Sequence, residues 1–444
     1  MNLAGQRVVV IGGGRTGQAT ARFLIDRGAI VRVIERNAAM LAQLTLPPKV
    51  ECVVDDGGEV LLRSIDLVVP SPGVARTHLL LQRAVARGIA VMSEIELAYR
   101  FLPCPLLAIT GTNGKSTTTT LLGEMLKASG GPIFVGGNLG TPLIDAVQVD
   151  APAYRAAVAE ISSFQLEWVQ TFRPRIGVLL NLTPDHLDRY PTVAEYAMAK
   201  AALLARQQSD DLAVLNRDDP WVWEQRLRTR ANCVSFGREP VEFGAFVDGD
   251  DLVYWGPDPH ARRFALAGVK LQGAHNRENM LAAVTAASLW GVPADAIQRV
   301  LEQAEGLLHR LQLVRERAGV RYFDDSKGTN VGAVIKSLES FAGNVILLLG
   351  GYDKGSDFSV LRPLLAKRAK QVVLFGKAGV TIAAQISGAA PMVEVASLTD
   401  AVAAAATTAR PGDTVLLSPG CASFDEFTDY TARGRRFREL VEAL

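Results

Sequence analysis

The sequence predicts an α/β protein built of three doubly wound units, and three observations carry that prediction. Short apolar runs alternate along the chain with longer helix-patterned stretches, the arrangement that parallel strands and their crossovers require. Two of the runs, at residues 8–11 and 106–109, pass straight into glycine-rich turns and then helices, as strands do at an anion-binding loop. The chain has 444 residues, and at about 150 residues per domain that length suits roughly three domains.

In the first unit, expected over residues 1–97, the run 8–11 meets a glycine turn, a helical stretch follows at 16–26, and a second run comes at 30–34. That is a βαβ pattern of Rossmann-like type. Short strands at 67–69 and 89–91 extend it, and Pro103 and Pro105 punctuate its end. The second unit, 98–305, opens with a strand at 106–109 that turns through a glycine loop into a helix over 116–127, a P-loop-type start. Buried-type strands follow at 154–159, 176–180 and 212–215. Between 241 and 271 the pattern alternates around Asp248, Gly249, Asp250 and Asp251, as a small antiparallel excursion would. Helices over 275–289 and 294–303 close the unit. The third unit, 306–444, repeats strand then helix four times, with strands at 320–323, 345–349, 372–375 and 414–417, again Rossmann-like.

Composition narrows the function. Lys+Arg 47 against Asp+Glu 46 leaves +1, so no charge excess exists to hold a nucleic-acid backbone or an acidic membrane. Hydrophobic content of 48% with 21% charged residues is that of a folded globular chain rather than a disordered one. Cys52, Cys104, Cys233 and Cys421 lie far apart, which points away from zinc or a disulfide scaffold and toward a reducing cytoplasm. The apolar runs fall short of the roughly 18 residues of a membrane helix, and the run 8–11 meets glycines with no cleavage site behind it.

The loops carry the chemistry. Gly12, Gly14 and Gly17 form GxGxxG before a helix, with Glu35 ending the next strand; this reads equally as a dinucleotide loop or as a tight turn. The second loop is stronger. Gly111-Thr112-Asn113-Gly114-Lys115-Ser116-Thr117 offers backbone amides for a triphosphate, an ammonium for its outer phosphates and a hydroxyl for Mg²⁺. It departs from GxxxxGK[ST] because Ile109 occupies the first glycine position. Glu160 ends an apolar strand, where a carboxylate either meets a phosphate-bound metal or caps into solvent. His186 follows a Pro turn, and a lone loop histidine is ordinarily a surface or packing residue. Thr192 and Glu195 spell a capping box, which puts Lys200 about two turns into a helix and, taken alone, in solvent. Asn276 and Asn279 share a helix face at i, i+3 spacing, and an asparagine at a helix start is often a cap. Thr329 precedes a helical stretch and Ser423 with Glu426 spells S-x-x-E, so each can cap a helix.

Longer motifs settle which family these loops belong with. Gly111 to Thr117, Glu160-Ile161-Ser162-Ser163-Phe164-Gln165, Asn181-Leu182-Thr183-Pro184-Asp185-His186-Leu187-Asp188 and Gly273-Ala274-His275-Asn276-Arg277-Glu278-Asn279 resemble, in order, the Mur ligases and their folylpolyglutamate synthase relatives. Asp325-Ser326-Lys327-Gly328-Thr329-Asn330 and the run from Ser418 to Phe427 resemble the D-glutamate-adding branch. The likeness extends from Gly12 to about Phe437.

The resemblance implies an ATP-dependent amide ligase of cytoplasmic peptidoglycan precursor synthesis, serving cell shape and division. It would add D-glutamate to UDP-N-acetylmuramoyl-L-alanine through an acyl phosphate. Lys115, Glu160, His186 and Lys200 would be catalytic. Residues 111–117 with Asn276, Asn279, Arg310 and Asp325 would bind ATP. Ser116 and Glu160 would hold one Mg²⁺, and His186 with Lys200, carbamylated by CO₂, a second. Gly14, Thr16, Glu35, Ser71 and Asn138 would bind the UDP-sugar, and Lys327, Thr329, Lys354 and Ser423 the D-glutamate. A monomer without nucleic-acid or membrane partners is expected. Carbamylation needs a neutral amine, which a lysine of ordinary pKa, about 10.4, rarely offers at neutral pH; Lys200 is therefore predicted to sit in a desolvating or cationic setting. The sequence departs from the family pattern at Leu308 (usually proline), at Arg15, Arg36 and Asn37 around the uracil, and at Tyr430 (usually phenylalanine). An NAD-dependent oxidoreductase would explain only residues 12–35. The diaminopimelate-adding relative is marked by a DNPR run that is absent here. A nucleotide sensor without catalysis would have no use for Lys115, Glu160, His186 and Lys200 together.

Overall fold

Strands form where β-branched and apolar residues cluster between turns. The structure, a computed structural model, describes residues 1–256, 261–271 and 273–444. In the first unit Arg7–Ile11 (β1), Ile30–Glu35 (β2), Glu51–Val54 (β3), Leu67–Pro70 (β4) and Ala90–Val91 (β5) make a parallel sheet in the order β3-β2-β1-β4-β5. Side chains alternate across it. Val8 and Val10 pack with Phe23 and Leu24 of the helix Arg15–Asp26, while Val9 and Ile11 pack with Leu80 and Leu81 of the helix Leu79–Ala86. Each such burial contributes about 1.5–3 kcal/mol before the entropy of ordering is set against it. Strand order reverses between β1 and β4, so the Gly12 loop lies at the switch point where such sheets bind ligands.

The central sheet contains Leu106–Thr110 (β6), Ile133–Gly137 (β7), Ala156–Glu160 (β8), Ile176–Leu179 (β9), Leu212–Asn216 (β10), Asn232–Gly237 (β11), Gly244–Asp248 (β12), Asp251–Trp255 (β13) and Arg262–Ala265 (β14). Its order is β14-β13-β12-β11-β10-β9-β6-β8-β7, parallel from β7 through β12 and antiparallel from β12 to β14. The antiparallel excursion is thus present; residues 257–260 within it lie outside the described residues. Leu107 and Ile109 face the helices Lys115–Ala128 and Ala274–Trp290, whereas Leu106 and Ala108 join a core continuous with that of the first unit. The border expected at residue 97 falls inside the helix Glu94–Tyr99. That helix is anchored on the central unit: Glu94 Oε1 accepts from Ile144 N (2.6 Å), and the Glu96 carboxylate accepts from the amides of Gln170, Thr171 and Phe172.

The third unit differs more from expectation. Gln312–Arg317 (β15), Val320–Asp324 (β16), Val345–Gly350 (β17), Ala369–Phe375 (β18), Met392–Glu394 (β19) and Thr414–Gly420 (β20) form a sheet in the order β15-β16-β20-β17-β18-β19. It opens with an antiparallel β15–β16 hairpin rather than a strand–helix repeat. Five strands are unanticipated: β3, β7, β15 and β19 are edge strands, where pairing on one side is missing and polar residues are tolerated, and β11 lies inside the central sheet between β10 and β12. Because β20 lies between β16 and β17, the loops after all three strands emerge side by side. Among the described residues no helix is long and apolar enough to cross a membrane.

Candidate active site

β6 is buried along its length and lies between β8 and β9, with Ile109 opposite Glu160. Ile109 is therefore part of the strand, and the loop starts only at Gly111. Gly114 adopts φ +84°, and a Cβ there would come within 2.0 Å of Asn279 Oδ1, so the glycine lets the helix Ala274–Trp290 close on the loop. Asn181 orders the loop from the β9 side, its backbone O accepting from Thr112 N (2.9 Å) and its Oδ1 from Asn113 N (2.8 Å). Lys115 Nζ donates to the carbonyls of Gly111 (2.9 Å) and Thr112 (2.8 Å), and burial lowers its pKa. From the third unit Arg310 Nη2 donates to Ser116 Oγ (2.9 Å). Arg310 is presented on a sharply bent backbone, for His309 and Leu311 on either side both have positive φ. Asn276, Asn279, Arg310 and Asp325 meet around a cleft of about 90 Å³ beside Gly114. Asn279 Nδ2 donates to Asn276 Oδ1 (3.3 Å), and the helix N-cap is Gly273 rather than either asparagine. Asp325 Oδ2 accepts from Ser337 Oγ (2.6 Å) and Ser418 Oγ (2.8 Å), while burial pushes its carboxyl up to about 6.

Glu160 is buried at the end of β8. Its Oε1 accepts from Asn138 Nδ2 (2.7 Å), and its Oε2 is buried and, among the described residues, has no hydrogen-bond partner. Burial pushes this carboxyl up, but the Lys115 charge, the neighbouring Ser116 hydroxyl and the bond from Asn138 outweigh it and hold it below its ordinary value. An orphaned, ionised carboxylate oxygen beside a buried hydroxyl suits a hard cation that takes its other ligands from phosphate and water. Among the described residues no group of three His, Cys, Asp or Glu side chains would hold a metal by itself. His186, at φ +57°, sets its ring edge-on to Phe164 (4.7 Å between centroids), and burial lowers its pKa to about 4. Lys200 is not a solvated helix lysine. It is 2% exposed, donates Nζ to Gly111 O (2.8 Å), and lies 4.6 Å from the Tyr196 ring centroid. Burial, then the Lys115 charge, lower its pKa well below the ordinary lysine value, so the desolvating and cationic setting predicted for it is present.

The Gly12 loop is organised by its own neighbours. A Cβ on Gly17 would lie 1.9 Å from Gly12 O, so the helix packs on the turn only with glycine there. Glu35 accepts from Gly13 N (2.8 Å) and Asn37 N (2.9 Å), and Ser71 Oγ donates to Gly12 O (3.0 Å). Gly14 is the N-cap of the helix that carries Thr16. Two of the unusual residues here are occupied: Asn37 caps the helix Ala38–Leu41, and Arg15 Nη1 donates to Gly140 O (2.8 Å) across to the central unit. Asn138 stands apart from this set, in the loop after β7, bonded to Glu160.

Lys327, Thr329, Lys354 and Ser423 are brought together with His186 on a cavity of about 1110 Å³ that all three units line, the first through Gly73 and its neighbours. Thr329 does not cap the following helix, because Asn330 does. Ser423 caps none either: its backbone O takes the amides of Glu426 and Phe427, and Asp429 caps the last helix. Lys327 Nζ lies 3.8 Å from the Tyr430 ring centroid, and burial lowers its pKa to about 8.

Sequence reasoning missed two groups. Asp185 bonds Lys354 Nζ through Oδ1 (2.5 Å) and accepts from Asn330 Nδ2 at Oδ2 (3.0 Å), joining central and third units. Its signal was there, as the acidic neighbour of His186 in a quoted motif. Arg189 pairs with both oxygens of Glu167 (2.9 and 2.7 Å) and donates to Pro72 O and Val74 O (3.0 Å each), joining central and first units. No spacing pattern marks that pair.

Family models described as the Mur ligase middle domain, the Mur ligase glutamate ligase domain and the MurD-like N-terminal domain of Mur ligases match residues 109–287, 309–421 and 6–93. The chain is 45% identical to the UDP-N-acetylmuramoylalanine--D-glutamate ligase of Syntrophus aciditrophicus, covering 100% of this chain and 99% of the relative. It is 43% identical to the protein of the same name from Trichlorobacter lovleyi, covering 100% of both. In fold it is similar to a pseudomurein peptide ligase type C from Methanothermus fervidus, with TM-score 0.65, 18% identity and 99% of each chain covered.

Proposed function

The chain belongs to the Mur ligase family, and from that premise we infer its reaction: with ATP, it forms an amide bond between UDP-N-acetylmuramoyl-L-alanine and D-glutamate. The product is a precursor of peptidoglycan, made in the cytoplasm by a monomer that needs neither nucleic acid nor membrane. One observation supports this reading above the rest. The phosphate loop carries Lys115 beside a Glu160 oxygen that has no partner among the described residues, and His186 lines a cavity together with Lys327, Lys354, Thr329 and Ser423. Adenosine phosphates need the first set, and a dicarboxylate amino acid needs the second.

A carboxylate is a poor electrophile, so the L-alanine carboxylate first takes the γ-phosphate of ATP. The D-glutamate amine then attacks the acyl phosphate, the C–N bond forms, and phosphate leaves. Lys115 and the amide groups opening the helix Lys115–Ala128 hold the phosphates, Arg310 reaches them from the third unit, and Asn276 and Asn279 face the base. Two Mg²⁺ ions, when bound, supply charge neutralisation on the phosphates. Ser116 and Glu160 would hold one, and His186 with the carbamate of Lys200 the other. The lowered pKa of Lys200 leaves more of its amine neutral, the form that condenses with CO₂ and releases a proton. Gly14, Thr16, Glu35, Ser71 and Asn138 take the UDP-sugar. Positioning and electrostatics carry most of the rate. An oxidoreductase reading accounts for the Gly12 loop alone and leaves the Gly111–Thr117 loop, Glu160 and Lys200 without a role. In the test, release of ADP requires both UDP-N-acetylmuramoyl-L-alanine and D-glutamate; equal turnover with L-glutamate or L-lysine in place of D-glutamate overturns the assignment.

A further inference from the structure

Arg433, in the helix Tyr430–Ala443, is 1% exposed, among the largest fully buried side chains of the protein. Among the described residues no carboxylate lies within hydrogen-bond distance of its guanidinium, and its donors go elsewhere. Nε donates to Ser326 Oγ (3.0 Å) and Nη2 to Ser326 O (2.8 Å). Nη1 donates to Cys421 O (3.1 Å) and Ala422 O (3.2 Å). Ser326 precedes Lys327 in the loop after β16, and Ala422 precedes Ser423 in the loop after β20. The loop after β17, which carries Lys354, is drawn in as well: Tyr352 N donates to Ala422 O (2.8 Å), and Ala422 N to Tyr352 O (2.9 Å). A Cβ on Gly351 would sit 3.1 Å from Arg433 Nη1, so the three loops converge on one guanidinium. Ser326 Oγ passes the connection on by donating to Tyr430 O (2.8 Å), whose ring underlies the Lys327 ammonium.

We propose that Arg433 is a positioning residue for the amino-acid site: it fixes the β16, β17 and β20 loops relative to one another and so sets the spacing of Lys327, Lys354 and Ser423, without touching substrate. This rests on the reading of that cavity as the D-glutamate site. Burial of Arg433, with no carboxylate in hydrogen-bond contact among the described residues, is costly and lowers its pKa to about 10 against the opposing pull of the Asp425, Asp324 and Asp325 charges. A planar fork with five N–H donors is the side chain that can serve acceptors on two loops at once. Lysine has the charge but lacks the fork, and methionine has neither. The nucleotide side is insulated from the change, since Asp325 has its own anchors in Ser337, Ser418 and Leu311 N.

The test is steady-state kinetics of Arg433→Lys and Arg433→Met, varying each of the three substrates in turn. In Arg433→Lys, KM for D-glutamate is expected to rise about tenfold or more, with KM for ATP and for the nucleotide-sugar held within about twofold. Arg433→Met moves the same way and further; if it does not fold, Arg433→Lys carries the test. A folded Arg433→Lys protein with an unchanged KM for D-glutamate overturns the proposal, as does a parallel rise in all three KM values. The wild-type protein in the same assay separates the two levels: if it turns over no D-glutamate, the functional reading fails, whereas if it does and Arg433→Lys matches it, only the positioning role fails.

Discussion

Lys200→Met keeps the length of the side chain and removes the amine, and it separates what Lys200 does for the fold from what it does for the reaction. The fold loses one hydrogen bond, from Nζ to Gly111 O, worth about 0.5–1.5 kcal/mol net. Against that stands relief of a buried amine whose pKa is lowered by desolvation and by Lys115. Each unit of lowering corresponds to about 1.4 kcal/mol. The sign follows from proton counts. Above the unfolded pKa the amine is neutral in both states and costs nothing. As pH falls below it the unfolded chain binds the proton first, and wild type loses stability until its folded pKa is passed. In CO₂-depleted buffer, Lys200→Met should therefore gain on wild type as pH falls from about 10.4, and at neutral pH its thermal midpoint should equal or exceed that of wild type. Turnover should move the opposite way, falling about 10²- to 10³-fold, the scale of losing one charge-stabilising group in an active site. Wild-type turnover should drop in CO₂-depleted buffer and return with bicarbonate, and the variant should not respond. The assays are ADP release and thermal melting across pH. Turnover within about twofold of wild type would refute the reasoning.

Two further substitutions probe the phosphate side. Glu160→Gln keeps an oxygen for Asn138 Nδ2 but neutralises the unpartnered Oε2, so the Mg²⁺ concentration for half-maximal rate should rise at least about tenfold; an unchanged Mg²⁺ titration would remove Glu160 from the metal set. Gly114→Ala places a Cβ at φ +84°, 2.0 Å from Asn279 Oδ1, with about 1–2 kcal/mol of backbone strain besides; a lower thermal midpoint and a higher KM for ATP are expected, and wild-type values for both would contradict the packing described.

What the sequence made legible follows physical signal strength. The strands β1, β6, β8, β17 and β20 are near-continuous apolar runs because they are buried on both faces, and glycines stand at or just past the ends of β1, β6, β17 and β20. Edge strands such as Gln312–Arg317 carry charged side chains on an unpaired flank and look like loop. The Lys200 helix illustrates a different limit. Residues 193–201 give no periodicity that separates a buried lysine from an exposed one, and only the resemblance put Lys200 in the site. Thr329 and Asn330 stand one residue apart, and capping chemistry alone cannot choose between neighbours. Asp185 was legible as the acidic neighbour of His186, but its partner Lys354 lies 169 residues on, and Arg433 reads as one more basic residue of a terminal helix until the fold brings Ser326, 107 residues away, beside it.

The Asp185–Lys354 ion pair gives the amino-acid cavity a guarded character. A bare ammonium lining a large opening would attract any passing anion. Here the charge is already paired, so a ligand carboxylate must win it from Asp185, and the net affinity would be the difference between two similar attachments rather than the strength of one. Stray anions that offer a single negative group gain nothing from the exchange. A ligand that engages Lys327, Thr329 and Ser423 at the same time can afford it, which turns an internal bond into a filter on who may enter.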